Sequence, residues 1–169
     1  MSSKNAVVDV RAIDGTTLRK VMGHFCTGVA VITAHDGDRP LGFTCQSVVS
    51  ASLDPPYVSF CPAKTSTTWP LLQATGNVCI NILAQDQRDL CATFAVSGGD
   101  KFAAVDWRLS GNGAPALAGA LARIEASVEL EHDAGDHTIV LARVTDVVAV
   151  DGRPLLFYRG TFGGFTDQR

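Results

Sequence analysis

The last third of the chain consists of strand-forming segments separated only by short turns. Residues 122–131, 138–150 and 154–158 are rich in the β-branched and apolar residues that favour strands. The connecting sequences HDAGDH and VDGRP contain the Gly, Asp and Pro residues typical of tight turns. Strands joined by such short turns run antiparallel, so this region predicts consecutive hairpins.

In the rest of the chain, predicted strands and helices do not alternate regularly. Strands are predicted at 29–34, 41–49, 57–61 and 77–83, and short helices at 16–25, 66–74 and 86–94. Thr16 or Thr17 can cap the first helix, and the Gly-, Ala- and Pro-rich region 97–119 predicts a long loop. A doubly wound parallel sheet requires regular alternation. The pattern therefore predicts a mainly β fold, an antiparallel Greek-key barrel with helices on its flanks.

The length of the chain, 169 residues, fits one domain. We predict a flexible N-terminal arm over residues 1–15 and a single domain over residues 16–169. A net charge of −3 gives no basic surface, so no nucleic-acid partner is expected. The sequence has no secretory signal and no apolar run of the roughly 18 residues that span a membrane. We therefore expect a cytoplasmic protein without a membrane partner.

The five cysteines do not form a recognisable site. Their number is odd, they contain no C-x-x-C pair, and they lie in apolar stretches, at Cys26, Cys45, Cys61, Cys79 and Cys91. A disulfide framework or a thiolate zinc site requires closer pairing. We expect small core residues in a reducing compartment.

Two sequence patterns resemble known sites but lack the required context. Residues 111–116, GNGAPA, match the dinucleotide pattern G-x-G-x-x-A, but a loop precedes them and Pro115 interrupts the helix that the motif requires. His132 and His137 lie near Asp133 and Asp136, but their spacing matches no standard ligand set. Neither a Rossmann nucleotide site nor a metal site is expected.

A run of polar residues forms a candidate phosphate-binding segment. Four consecutive hydroxyl residues follow a lysine where a helix is predicted to begin, in the order Lys64, Thr65, Ser66, Thr67, Thr68 and Trp69. A helix N-terminus offers free N–H groups and the positive end of the helix dipole to a phosphate. Ordinary N-capping explains these hydroxyls equally well.

A second polar segment, Thr44 to Ser47, lies in a stretch otherwise suited to burial. Buried polar groups need hydrogen-bond partners, which are either backbone groups or a ligand. Hydrogen bonds within a turn are the simpler explanation.

Seven short motifs follow one another between residues 16 and 163. They are FCTGV from Phe25, GFTCQS from Gly42, SLDPP from Ser52, NIL from Asn81, DKF from Asp100, GDHT from Gly135 and LLFYRG from Leu155. Each motif is weak alone, but their order and spacing are specific. Together they resemble the short-chain flavin reductase family, the reductase components of two-component flavin monooxygenases. The likeness is greatest to reductases that serve aromatic-ring hydroxylases.

The resemblance implies a split β-barrel of the FMN-binding type, usually a homodimer with flavin near the subunit interface. It implies an NADH-dependent oxidoreductase that transfers hydride to FMN or FAD and supplies reduced flavin to a separate oxygenase. The flavin ring and ribityl chain would be lined by Thr44, Cys45, Gln46, Ser47, Val48, Ser50 and Ala51. The phosphate would bind to the segment from Lys64 to Trp69, with a second positive charge from Lys101. His137, as an orienting group and not an obligatory acid, would seat the nicotinamide with Tyr158 and Arg159.

Two positions depart from the family pattern, and two other functions share the fold. Thr67 stands where many relatives have Arg, which removes a bidentate phosphate donor, and Gln46 replaces a commoner Asn. Both changes leave the choice between FMN and FAD open. The alternatives are a non-enzymatic flavin-binding or electron-carrier protein and a deazaflavin-dependent split-barrel enzyme. The absence of an obvious basic pocket for a 2′-phosphate favours NADH over NADPH.

Overall fold

The computed structural model describes residues 13–166. Within this range the three helices are α1 (Gly15–Met22), α2 (Trp69–Thr75) and α3 (Arg88–Ala95). The strands are β1 (Thr27–Gly28), β2 (Ala30–His35), β3 (Pro40–Cys45), β4 (Val49–Leu53), β5 (Pro56–Phe60), β6 (Asn77–Ile82), β7 (Trp107–Leu109), β8 (Pro115–Leu117), β9 (Ala122–Ala134), β10 (His137–Ala149), β11 (Leu155–Tyr158) and β12 (Thr161–Gly164). The predicted mainly β character is confirmed.

The main sheet has seven strands in the order β3-β2-β6-β9-β10-β5-β4, and every pair is antiparallel. Its edge strands β3 and β4 follow each other in sequence but do not pair, so the barrel is open along this line. Residues 46–48 connect the two edges. Two smaller sheets, β1-β11-β12 and β7-β8, complete the fold.

The longest hairpin is formed by β9 and β10, which pair at twelve positions. Its turn is only two residues, Gly135 and Asp136, and Gly135 has a φ of +69° that favours glycine. The predicted hairpin is present, but its strands extend into the predicted turn because His132 pairs with Ile139 and Asp133 with Thr138. The tip of this hairpin contacts the candidate site.

The core has two main apolar clusters, one on each face of β2. Ile32 belongs to the cluster that contains Phe60 and Trp69, whereas Val31 belongs to the cluster that contains Phe94 and Leu155. Successive side chains of a strand point to opposite faces, which explains this division. The rings of Phe60 and Trp69 pack edge to face at 5.3 Å, so the start of α2 is fixed by the core.

The region predicted as a long loop contains the hairpin β7-β8, which the sequence prediction missed. Two buried polar side chains attach it to the main sheet: the Oδ1 of Asn81 accepts from the backbone N–H of Leu117 at 2.8 Å, and the carboxylate of Glu125 accepts from the N–H of Asn112 at 2.8 Å. Gly111 and Asn112 lie in the turn between these strands. The dinucleotide-like pattern therefore opens no helix.

Several predicted boundaries differ from the structure. Helix α1 begins at Gly15, because Asp14, rather than Thr16 or Thr17, accepts from the N–H of Thr17 at 2.7 Å. The predicted strand 41–49 is interrupted after Cys45, and β12 was not predicted. Residues 1–12 of the predicted arm lie outside the described residues.

The cysteines are all free in the described part of the chain, and their burial varies. Cys45, Cys79 and Cys91 are buried, and burial raises the pKa of the Cys79 thiol to about 12. Cys26 is exposed, so the expectation of core packing is wrong at that position. Over residues 13–166 there is no cluster of His, Cys, Asp and Glu suited to a metal, and no helix long and apolar enough to cross a membrane.

Candidate functional site

The segment from Cys61 to Trp69 runs beside the tip of the β9-β10 hairpin. Ala63 forms an isolated β-bridge with His137. The backbone N–H of Lys64 donates to the carbonyl of Asp136 at 2.9 Å, and the N–H of Thr138 donates to the carbonyl of Pro62 at 3.0 Å. The ammonium group of Lys64 also pairs with the carboxylate of Asp133. The structure thus brings the predicted phosphate segment and the predicted nicotinamide group, His137, side by side.

The start of α2 is capped from within the segment. The hydroxyl of Ser66 accepts from the N–H of Trp69 at 3.0 Å and from the N–H of Thr68 at 3.3 Å. These two N–H groups are therefore bonded within the protein, as ordinary N-capping predicts for Ser66. The other hydroxyls, on Thr65, Thr67 and Thr68, make no hydrogen bond within the described residues, and neither do the backbone N–H groups of Thr65 and Thr67.

The connection between β3 and β4 is tied to the same segment. The hydroxyl of Ser47 accepts from the N–H of Cys61 at 2.8 Å and lies 3.2 Å from the sulfur of Cys45. The hydroxyl of Thr44 donates to the carbonyl of Cys91 at 2.7 Å. The hydroxyls of Thr44 and Ser47 are therefore bonded to backbone groups distant in sequence, and not within a turn as the simpler explanation expected.

The remaining residues of this connection have free polar groups. Gln46 and Ser50 are exposed, and their side chains make no hydrogen bond within residues 13–166. Val48 packs partly against the core, and Ala51 is exposed on β4. Burial raises the pKa of the Cys45 thiol. The predicted flavin-lining residues form one continuous edge of the open barrel.

Lys101 shares a cleft of about 820 Å³ with Thr67 and Thr68. Its ammonium group donates to the carbonyls of Gly42 and Phe94, each at 3.2 Å. No carboxylate of the described residues forms an ion pair with it, and burial lowers its pKa. A partly buried cation beside unpartnered hydroxyls fits an anionic ligand, so the donors present suit a phosphate.

The predicted nicotinamide residues are not all together. The Nδ1 of His137 lies 2.8 Å from a carboxylate oxygen of Asp136, and the hydrogen bond and charge of His137 lower the pKa of that carboxyl. Tyr158 and Arg159 lie in another region, at the end of α1, where the N–H of Arg159 donates to the carbonyl of Gly23 at 3.0 Å. Neither makes a hydrogen bond to His137.

The cleft also contains residues that the sequence analysis missed. Arg39 and Trp107 line it together with residues 98–103. Arg39 lies in the turn HDGDRP. The Gly, Asp and Pro residues of this segment are accounted for by the turn, so the sequence provided no reason to expect a binding residue there. Trp107 lies in the region predicted as a loop. No local pattern indicates that the two residues meet at one cavity.

Comparison with known families gives one clear match. Residues 22–166 match the model of the flavin reductase like domain. The chain belongs to this family. The family that the seven motifs predicted is therefore confirmed.

Individual relatives agree with this assignment. The chain is 46% identical over 166 residues to HsaB of Rhodococcus jostii, the reductase subunit of a flavin-dependent monooxygenase, with coverage of 98% of this chain and 85% of that protein. A nitrilotriacetate monooxygenase component B homologue from Mycobacterium thermoresistibile has a TM-score of 0.87 and 45% identity, covering 89% of this chain and 86% of that one. An NADH:FAD oxidoreductase from Streptomyces globisporus, solved with NAD and FAD fragments, has a TM-score of 0.87 and 36% identity, covering 92% and 94%. The predicted split-barrel fold is confirmed by these neighbours.

The capping role of Ser66 predicts that Ser66→Ala lowers the free energy of unfolding by about 1 kcal/mol, because two backbone N–H groups lose their acceptor. Thr65→Ala is the matched control, since its hydroxyl has no protein partner, and it should leave stability unchanged. Urea unfolding of both variants measures the difference. Equal stability losses in the two variants would contradict the assigned cap.

Proposed function

We propose that this protein transfers hydride from NADH to FMN or FAD and supplies the reduced flavin to a separate monooxygenase component. It is a flavin reductase, and its relatives include an FMN reductase (NADH) from Agrobacterium fabrum that is 41% identical. The observation that carries the proposal is the main-chain pairing of the Lys64–Trp69 segment with the hairpin tip that bears His137. A flavin held by that segment has the nicotinamide-orienting group beside it.

The flavin ring is assigned to the open edge of the barrel. This edge comprises Thr44, Cys45, Gln46, Ser47, Val48, Ser50 and Ala51. Two of its backbone N–H groups, at residues 46 and 48, make no hydrogen bond within the described residues. Such donors stabilise the negative charge that develops when a flavin is reduced. The exposed surface here also allows the flavin to exchange, as delivery to another protein requires.

The flavin phosphate is assigned to Thr65, Thr67 and Thr68, with Lys101 as its cation. Free hydroxyls and N–H groups provide the hydrogen bonds, and the unpaired ammonium group provides the charge. Lys64 contributes less directly, because its ammonium group pairs with Asp133. Ser66 and Trp69 hold the segment in place, Ser66 through its cap and Trp69 through its packing against Phe60.

His137 is assigned to the nicotinamide. Its ring is partly exposed and is oriented by the carboxylate of Asp136 at 2.8 Å, which leaves the other ring nitrogen free for a ligand. The positive charge of Arg19 on α1 adds to the lowering of the Asp136 pKa, after the dominant effect of His137. Tyr158 and Arg159 are assigned to the nicotinamide from the family resemblance alone, because in this structure Arg159 contacts Gly23 after α1 and not His137.

For hydride transfer, the protein mainly has to position the nicotinamide and the flavin. When bound, the flavin accepts the hydride and the nicotinamide supplies it. The residues of this chain bring the two rings together, exclude water between them and hold the charges of the phosphates. No nucleophile is required, and His137 acts by orientation.

A homodimer is proposed from the exposed apolar residues of one sheet edge. Strand β4 pairs on one side only, with β5, and its Val49 and Leu53 side chains are 55% and 87% exposed. An unpaired edge with apolar side chains is a surface that proteins usually cover. Because β4 carries Ser50 and Ala51, a partner seated there would adjoin the flavin. We also propose that the protein is cytoplasmic, in keeping with its free cysteines.

The first test is the loss of NADH absorbance in air, with and without added FMN or FAD. The proposal predicts turnover that requires added flavin and saturates with it. If FMN binds while NADH stays intact, the protein is an electron carrier. If neither flavin binds, a deazaflavin-dependent function becomes the better explanation.

The role of His137 predicts a selective loss in the variant His137→Ala. The kcat/KM for NADH should fall about tenfold, a loss of about 1.4 kcal/mol, whereas the Kd for FMN should stay nearly unchanged. His132→Ala is the control, since His132 lies exposed on the same hairpin and makes no side-chain hydrogen bond within residues 13–166. Steady-state kinetics and flavin titration measure the two effects. Equal losses of NADH use and flavin binding would remove the assignment of His137.

The dimer is tested by light scattering coupled to size-exclusion chromatography. Wild-type protein should have the mass of two 17.8 kDa chains. Leu53→Lys should shift it toward one chain, because a charge on this exposed edge opposes its burial. Val150→Lys, which changes another exposed apolar residue (60% exposed) far from β4, is the control and should remain dimeric. A wild-type monomer would contradict the proposed interface.

A further inference from the structure

The cleft beside Lys101 extends well beyond the groups needed to bind one phosphate. Its lining includes Thr67, Thr68 and Lys101, here called the near end, and Arg39, Pro40 and Trp107, here called the far end. The volume of about 820 Å³ lies in the range of pockets that hold whole organic ligands. FMN would end at the near side, which leaves the far end without a role in the proposed function.

The far end has a cation that is available for a ligand. The side chain of Arg39 is 67% exposed, and its closest carboxylate contact is a long one, 3.8 Å to Asp36. The carboxylate of Asp36 instead accepts from the backbone N–H groups of Asp38 and Arg39, at 2.9 and 2.8 Å. The guanidinium group therefore retains most of its donors, and guanidinium binds phosphate oxygens in pairs.

The carboxylate of Asp100 also lines this cleft, but it is engaged by its own turn. It accepts from the backbone N–H of Phe102 at 3.1 Å. The charged side chains that line the cleft are Arg39, Lys101 and Asp100, so cations are in excess. This excess of positive charge in the cleft favours an anionic ligand with more than one phosphate.

The far end also has an aromatic ring. Trp107 is half-buried and held by neighbouring rings, with Phe102 at 5.7 Å edge to face and His35 at 6.1 Å. These contacts fix the indole while part of it faces the cleft. A fixed indole offers a surface on which a purine base can stack.

We propose that this cleft binds the adenosine diphosphate group of FAD, which makes FAD the preferred flavin. Strand β3 runs from Pro40 at the cleft to Cys45 at the open edge. Its six residues span about 17 Å at 3.3 Å per residue, a length suited to a flavin dinucleotide laid along the strand. The pyrophosphate lies between Lys101 and Arg39, and the adenine lies against Trp107.

NADH contains the same adenosine diphosphate group and is the other possible occupant. The cleft is continuous with Thr67, Thr68 and Lys101, where the flavin phosphate is assigned, whereas His137 lies at the hairpin tip beside Lys64. This continuity assigns the group to FAD. The inference rests on the proposed flavin site, and the experiment below distinguishes a failure of this inference from a failure of the proposed function.

The test measures the Kd of FAD and FMN by flavin fluorescence in the wild type, Arg39→Gln and Arg153→Gln. Wild-type protein should bind FAD about tenfold more tightly than FMN. Arg39→Gln should weaken FAD binding about fivefold or more and leave FMN binding within about twofold. Arg153 is an exposed arginine in the turn between β10 and β11, away from the cleft, so Arg153→Gln should match the wild type.

Two results would overturn the inference. One is equal or tighter binding of FMN, or an equal effect of Arg39→Gln on both flavins. The other is a higher KM for NADH in Arg39→Gln with FMN as the acceptor, which would assign the group to NADH. A protein that reduces FMN without preferring FAD would lose this inference but keep the proposed function. One that prefers FAD in binding but oxidises no NADH would lose the proposed function alone.

Discussion

The pairing of β9 with β10 at twelve positions is the interaction on which the rest of the structure depends. Strand β6 pairs with the outer side of β9, and β5 pairs with the outer side of β10. Both halves of the main sheet are therefore attached to one hairpin. A slip of one residue in its register would turn Ala126, Val140 and Ala142, all buried, toward solvent. Burial of these residues in the core therefore requires this pairing register, and the register in turn places them in the core.

The hairpin and the strands paired with it determine which polar groups maintain the fold and which remain available for a ligand. At the hairpin tip, the segment 61–69 is held by backbone hydrogen bonds to Asp136 and Thr138, so most of its side-chain hydroxyls stay free. Elsewhere in the described residues, most buried polar side chains have partners: Asn81 bonds to Val31, Thr33 and Leu117, although the buried hydroxyl of Thr27 has none. The unpartnered hydroxyls of Thr65 and Thr67 are exposed, so a ligand can reach them.

The sequence predicted those features of the fold that depend on local residue patterns. The hairpin of β9 and β10 was found because β-branched residues flank a Gly-Asp turn, and the family was found because its motifs keep their order. The hairpin β7-β8 was missed because its attachment depends on Asn81 and Glu125, which lie 36 and 13 residues away from their backbone partners. Likewise, four hydroxyls in a row do not reveal that Ser66 makes the cap. The neighbours of Arg39 and Trp107 depend on tertiary packing alone.

Lys101 shows how stability and binding are connected at the site. Burial lowers its pKa, which means that the ammonium form is less favourable in the folded protein than in the unfolded chain. At neutral pH this charge opposes folding, and the opposition disappears only as pH rises above the unfolded pKa and the amine is neutral in both states. The carbonyls of Gly42 and Phe94 orient the group but cannot neutralise it. A phosphate bound there, as proposed, would supply the missing negative charge and remove a destabilisation that the free protein retains. In the proposed site, the same partly buried charge that weakens the fold would therefore strengthen the affinity for a nucleotide.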